Sequence, residues 1–249
     1  MILMYHHIAP PEAVPTEWEP NEGWRFTHSP EGFERHLIEL ERRGYRFISL
    51  AQLVDDIRKR RVEEPDTVVV TFDDGWADNF IFALPILKKY SVPATFFVTS
   101  GHIHSGSDDL RKMSLNQLKE LLRSGMTIGG HTRQHPDLTL LSSEEARESI
   151  RSCKDDLENA LGVNIRFFAY PGGAFNRDVA RLVRQVGYDA ACSILGPDRN
   201  DSSSLFWLHR DVLSETMNSL HDKYRLNSVA RRVFSFRVQR RLAQTLSSK

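Results

Sequence analysis

Two hydrophobic rhythms alternate along the chain. Short continuous apolar runs at Met1–Tyr5, Arg46–Ser49, Val68–Phe72, Ala94–Val98, Thr127–Ile128, Ile165–Ala169 and Tyr188–Ser193 read as strands. Between them, apolar residues recur every three or four positions, the helical spacing. Phe33, Leu37 and Leu40 form one such stripe, opened by Ser29-Pro30-Glu31 and ended by Gly44. Leu50, Leu53, Val54 and Ile57 form the next, and residues 83–90 a third, with Pro85 as an irregularity. Ser114–Gln117 and Ser142–Glu145 have the spacing of capping boxes. The first opens a helix that stops near Gly125, and the second a helix buried along Ala146, Ile150, Cys153 and Leu157. Asn176 caps a last helix, with Val179, Leu182, Val183 and Val186 on one face and Gly187 as its stop. Strands that alternate with helices pair in parallel, and about seven such units fit one barrel-like α/β domain.

Composition changes this picture little. The 249 residues are 40% hydrophobic, with 33 basic and 33 acidic side chains, enough for one sizeable core and naming no partner by charge. No nucleic-acid partner is expected. Cys153 and Cys192 each sit in an apolar pattern and read as buried free thiols. The chain opens on Met1-Ile2-Leu3-Met4 with no basic segment ahead of an apolar one, and no stretch has membrane-span length, so a cytoplasmic protein is expected. Residues 9–28, with four prolines and Trp18 and Trp24, read as a long loop. The segment from Lys223 to Lys249 has eight Lys and Arg and no acid, with Val229, Val233 and Phe236 at helical spacing. Residues 214–249 are therefore read as a basic helical extension. The favoured reading is a solvated helix; the other is peripheral contact with an anionic membrane.

The chemistry gathers where strands end. In parallel α/β sheets, sites form at the C-terminal ends of the strands. Asp73 and Asp74 stand at the end of Val68–Phe72, His6 and His7 after the first strand, His131 after Thr127–Ile128, and Tyr170-Pro171-Gly172-Gly173 after Ile165–Ala169. Adjacent carboxylates repel and raise each other's pKa. A divalent cation held by one of them and by His131 and His135 offsets that repulsion and leaves the other acid free to take a proton. Pro136 disfavours helix at His135, so the two histidines are expected on an isolated turn. Read separately, Asp73-Asp74-Gly75 is an ordinary polar turn and the histidines are loop residues.

Together, Thr71-Phe72-Asp73-Asp74-Gly75, His131-Thr132-x-x-His135 and Arg166-Phe167-Phe168-Ala169-Tyr170-Pro171-Gly172 resemble the leading motifs of the polysaccharide deacetylases. Met4-Tyr5-His6-His7-Ile8 is similar to the subgroup acting on exopolysaccharide N-acetylglucosamine. The resemblance covers residues 1–213 and implies a distorted (β/α)7 barrel as a single catalytic domain. It implies hydrolysis of N-acetyl groups from a glycan or glycolipid, with Asp73 as base and Asp74, His131 and His135 as ligands of zinc, cobalt or nickel. Arg166 would hold Asp73, and the amide at or near Tyr170 would stabilise the oxyanion, in a loop shaped by Pro171 and Gly172. A late Leu-x-x-His motif that supplies the acid in many members is missing. His209 is the nearest candidate; it also reads as a plain strand-edge residue, and His6 or Asp73 are alternatives. His6 and His7 are read as substrate contacts or supports. Trp76 is the tryptophan most expected to line the cleft, and Asp78 and Asn79 are read as helix caps. Alternative functions are O-acetyl xylan esterase, small cyclic-amide hydrolase and an inert carbohydrate-binding homologue.

Overall fold

The computed structural model describes residues 1–13, 27–59, 66–103, 112–197 and 200–212. Trp18, Trp24 and the basic segment 214–249 lie outside the described residues. The chain begins with β1 (Ile2–Tyr5) and the short β2 (His7–Ile8), which pairs in parallel with β3 (Thr27–His28). Next come α1 (Pro30–Arg42), β4 (Arg46–Phe47), α2 (Leu50–Arg58) and β5 (Thr67–Phe72). Then follow α3 (Leu84–Lys89), β6 (Ala94–Val98), α4 (Leu115–Arg123), β7 (Thr127–Gly130) and α5 (Ser143–Leu161). The described chain ends with β8 (Phe167–Ala169), α6 (Arg177–Val186), β9 (Ala190–Ser193), β10 (Leu208–His209) and β11 (Asp211–Val212).

The caps expected at Ser29, Ser114, Ser142 and Asn176 form. Ser29 accepts from the Gly32 amide, and Ser114 and Ser142 complete reciprocal capping boxes with Gln117 and Glu145. Asn176 accepts from the amides of Asp178 and Val179. The irregularity at Pro85 is a π-helical turn, Asn79–Ala83, immediately before α3. Proline has no amide hydrogen to give to the preceding turn, and a widened turn tolerates that loss. Asp78 makes no capping bond there, contrary to expectation. Among the described residues no helix is long and apolar enough to cross a membrane.

All pairings of the main sheet are parallel, in the order β10-β9-β8-β7-β6-β5-β1-β11. The two ends of that order are one stretch of chain, since only Arg210 separates β10 from β11. The Arg210 amide donates to the Ser193 carbonyl, so the ladder continues through the break. The sheet therefore closes on itself as seven staves, the (β/α)7 barrel expected. β4 adds a distortion: it pairs with Thr67 and Val68 at the start of β5, below the point where β1 takes over at Val69.

Alternation along each strand sorts the interior into layers. Ile2, Val69, Phe97, Phe167, Ala169, Ala190, Cys192 and Leu208 come from six staves yet form one buried cluster, which includes Leu50, Leu53, Val54 and Ile57 of α2. β7 contributes Gly129, where a Cβ would lie 2.5 Å from the Phe97 ring, so no larger residue fits. Toward the strand ends the buried positions turn polar, with Thr71, Asp73, His131 and Arg210. The apolar layer sets the staves, and the polar layer above it is the site.

Candidate active site

Asp73 directly follows β5 and continues its ladder, its amide donating to the Tyr5 carbonyl. Its side chain is buried, and both oxygens meet one guanidinium: Arg210 Nη1 and Nη2 donate to Oδ1 and Oδ2 at 2.6 Å each. Arg210, 1% exposed, also reaches Thr71 Oγ1, and its guanidinium carbon lies 5.3 Å from the Phe97 ring centroid. Burial alone would raise the Asp73 carboxyl, but Arg210, with His131 and His6 nearby, holds it below the usual carboxylate range. The planar fork fixes the carboxylate as well as its charge.

Asp74 turns away from the strand. Its φ is 71° and that of Gly75 is also 71°, two successive left-handed residues, where aspartate and glycine are tolerated. A Cβ at Gly75 would also lie 3.2 Å from Val98 Cγ1. Thr132 and His135 have positive φ as well, so three of the four non-glycine residues with that geometry, among those described, belong to this site. Thr132 is β-branched, and its conformation is strained. Its hydroxyl donates to the His131 carbonyl at 2.5 Å and accepts from the His135 amide at 2.9 Å. The expected isolated turn is thus tied together by Thr132.

These turns bring three donor groups together. Asp74 Oδ1 lies 3.2 Å from His131 Nε2 and 3.3 Å from His135 Nε2. It is buried and without a hydrogen-bond partner. His131 Nδ1 lies 2.8 Å from the Ala169 carbonyl, which can only accept, so Nδ1 carries the hydrogen and Nε2 offers its lone pair. One carboxylate and two imidazoles with ligand atoms within 4.8 Å of one another fit a divalent cation. Burial lowers His131, but the close approach of Asp74 and the negative charges of Asp73 and Asp74 outweigh it and raise its pKa. Burial first and His131 second lower that of His135.

The surroundings correct several expectations. Arg166 does not hold Asp73. Its side chain is 35% exposed and its Nε meets Asp189 Oδ2 at 2.6 Å. The reason is parity: Phe167 and Ala169 occupy the interior cluster, so Arg166, one residue earlier, faces out. Arg210 does that work instead. His209 falls on the wrong side for the same reason. Arg210 reaches Asp73, so its neighbour points away, with Nε2 3.9 Å from Asp211. The Tyr170 amide is spent on the Cys192 carbonyl, and the phenol donates to the Phe206 carbonyl. In the following turn Pro171 is buried and Gly172 exposed, with φ 59° at Gly172. Asp78 and Asn79 serve the first strand's tail. Asp78 Oδ2 lies 2.5 Å from His7 Nδ1, and Asn79 Nδ2 donates to the His6 carbonyl. His6 is electrostatically coupled to Asp73, Asp74, Arg210 and His131; burial lowers its pKa more than the acids raise it. Trp76 donates its indole N–H to Asp74 Oδ2 at 3.1 Å.

A family model described as polysaccharide deacetylase matches residues 60–191. YxkH of Bacillus subtilis (strain 168) is 26% identical over 220 residues, 87% of this chain and 72% of that protein. The poly-beta-1,6-N-acetyl-D-glucosamine N-deacetylase of Staphylococcus aureus (strain MRSA252) is 24% identical over 200 residues, 76% of this chain and 69% of that one. Three other curated relatives match about half of this chain and less than half of their own length. Among solved structures, the Streptococcus pyogenes deacetylase PplD in complex with acetate superposes with a TM-score of 0.75 at 28% identity, covering 87% of this chain and 92% of that one. Motifs, barrel and relatives agree, and this chain belongs to the polysaccharide deacetylase family.

Proposed function

We propose that the protein is a metal-dependent N-deacetylase of an amino-sugar glycan, releasing acetate. The observation that carries this reading is Asp74 Oδ1, buried without a hydrogen-bond partner and facing two imidazole nitrogens beside an independently held Asp73. Asp74, His131 and His135 would hold the cation. Bound there, zinc, cobalt or nickel supplies Lewis acidity for the amide carbonyl and makes water more acidic. Asp73 accepts the proton of the attacking water, and the Arg210 fork keeps it ionised and aimed. Attack on the acetyl carbon gives a tetrahedral intermediate, and the leaving amine needs a proton before the C–N bond breaks. His6, half-buried beside these groups, is the candidate donor in place of His209, and Asp73 can return the proton it took. A donor to the oxyanion from the loop after β8 comes from past Tyr170, with the exposed Gly172 amide as the candidate. The name of the staphylococcal relative supports an N-acetylglucosamine polymer as the substrate class.

The test strips the protein with chelator, titrates zinc or cobalt back, and measures acetate from N-acetylglucosamine oligomers. Asp73→Asn is expected to keep the metal and lose about 100-fold or more in kcat. His135→Ala is expected to lose metal affinity. Metal lost from Asp73→Asn would exchange the roles of the two acids. Acetate from acetylated xylan alone would make the protein an esterase, and none from any glycan an inert homologue.

A further inference from the structure

The indole of Trp76 is occupied in a way that a sugar platform would not be. Lys112 Nζ lies 3.2 Å from its ring centroid, a cation–π contact, and the same ammonium donates to the Asp74 carbonyl at 3.0 Å. Trp76 and Lys112 also form an isolated antiparallel bridge, and the Met113 amide donates to the Gly75 carbonyl, so backbone holds the pair together. The His7 ring packs at 4.3 Å from the indole, tilted by 40°, and is itself anchored to Asp78. These contacts fix the direction of the indole N–H, which donates to Asp74 Oδ2 at 3.1 Å. With Oδ2 engaged, Oδ1 is the oxygen turned to the two Nε2 atoms.

We infer that Trp76 is a positioning residue for the metal ligand Asp74, selecting which carboxylate oxygen faces His131 and His135, and that Lys112 and His7 hold the indole for that task. The inference rests on the proposed metal site. Asp74 lies in a turn past the end of β5, with a left-handed φ of 71°, outside the strand ladder. A hydrogen bond to the ligand's outer oxygen also limits the carboxylate to one orientation, and partners of this kind typically contribute about 10- to 100-fold to metal affinity.

Trp76→Phe keeps the ring that Lys112 and His7 touch and removes only the N–H. Affinity for cobalt is measured by competition with a chromophoric chelator, with the melting temperature of the metal-free protein and KM for the glycan alongside. The expected result is a loss of about tenfold in cobalt affinity, with the metal-free melting temperature and KM close to wild type. Unchanged affinity with a raised KM would overturn the inference and make Trp76 a sugar contact. A lowered metal-free melting temperature with unchanged affinity would overturn it as well, leaving a packing residue. Asp74→Ala separates this from the parent reading: if that variant binds cobalt as wild type does, the metal site itself is wrong, whereas weak binding there with a normal Trp76→Phe sinks only the positioning role.

Discussion

Asp73 and Asp74 are chemically identical neighbours, and their partners divide their roles. Asp73 is clamped by a buried cation, whereas Asp74 has one oxygen on an indole N–H and one turned to imidazoles. The Arg210 fork spans 137 residues of sequence, which is why the motif stretch 71–76 could not reveal it. One signal was available: Leu208-His209-Arg210-Asp211-Val212 alternates, so Arg210 shares a side with Leu208, and a charge on the apolar side of a strand asks for a partner. The clustering of Asp74, His131 and His135, by contrast, was legible because each sits within a short motif at a strand end. The two arginines yield a direct comparison. Arg210→Met removes the partner of a buried carboxylate and is expected to cost about 3–5 kcal/mol and most activity. Arg166→Ala breaks a half-exposed pair away from Asp73 and is expected to cost about 1 kcal/mol with kcat/KM retained. Urea unfolding midpoints and acetate-release rates measure both, and a damaging Arg166→Ala beside a mild Arg210→Met would restore the original assignment.

Elements were legible where local chemistry decides them. The expected caps at Ser29, Ser114, Ser142 and Asn176 formed, because a side-chain oxygen three residues before a free amide needs no tertiary help. The closing stave was not legible. β10 and β11 are two residues each, too short for any periodicity, and exist because β9 and β1 leave edges on either side to be paired. The π-turn before α3 was marked only by Pro85, and its Asp78 and Asn79 went to His7 and His6 instead of to helix amides. α6 offers the cleanest measure of a local cap, since Asn176 is exposed and its oxygen accepts from two amides. Asn176→Ala is expected to lower stability by about 1 kcal/mol, read as a shift in the urea midpoint, with kcat unchanged. A fall in kcat at unchanged stability would mean that the start of α6 shapes the Pro171–Gly173 turn.

At the scale of the molecule, alternating strands and helices announced a closed parallel barrel, and closure explains the two cysteines. Cys192 lies in the interior cluster and Cys153 on the buried side of α5, both as free thiols. Burial pushes Cys153 up to about 11 and Cys192 up to about 12, because a buried thiolate has no water to solvate it. The phenols of Tyr5, Tyr170 and Tyr188 are raised by burial as well. Groups whose pKa is higher folded than unfolded contribute stability that is full below the unfolded value and disappears as pH climbs to the folded one. Stability is therefore expected to hold up to about pH 8.5, the ordinary thiol value, and to decline steadily above it, as the unfolded chain sheds thiol and then phenol protons that the native chain keeps. Urea midpoints at successive pH values measure that slope. A thiol reagent supplies the independent check at pH 8: native protein is expected to react only at the rate of global unfolding, and denatured protein at two sites immediately. Fast labelling of one cysteine in native protein would place that thiol outside the closed core and remove its share of the alkaline loss.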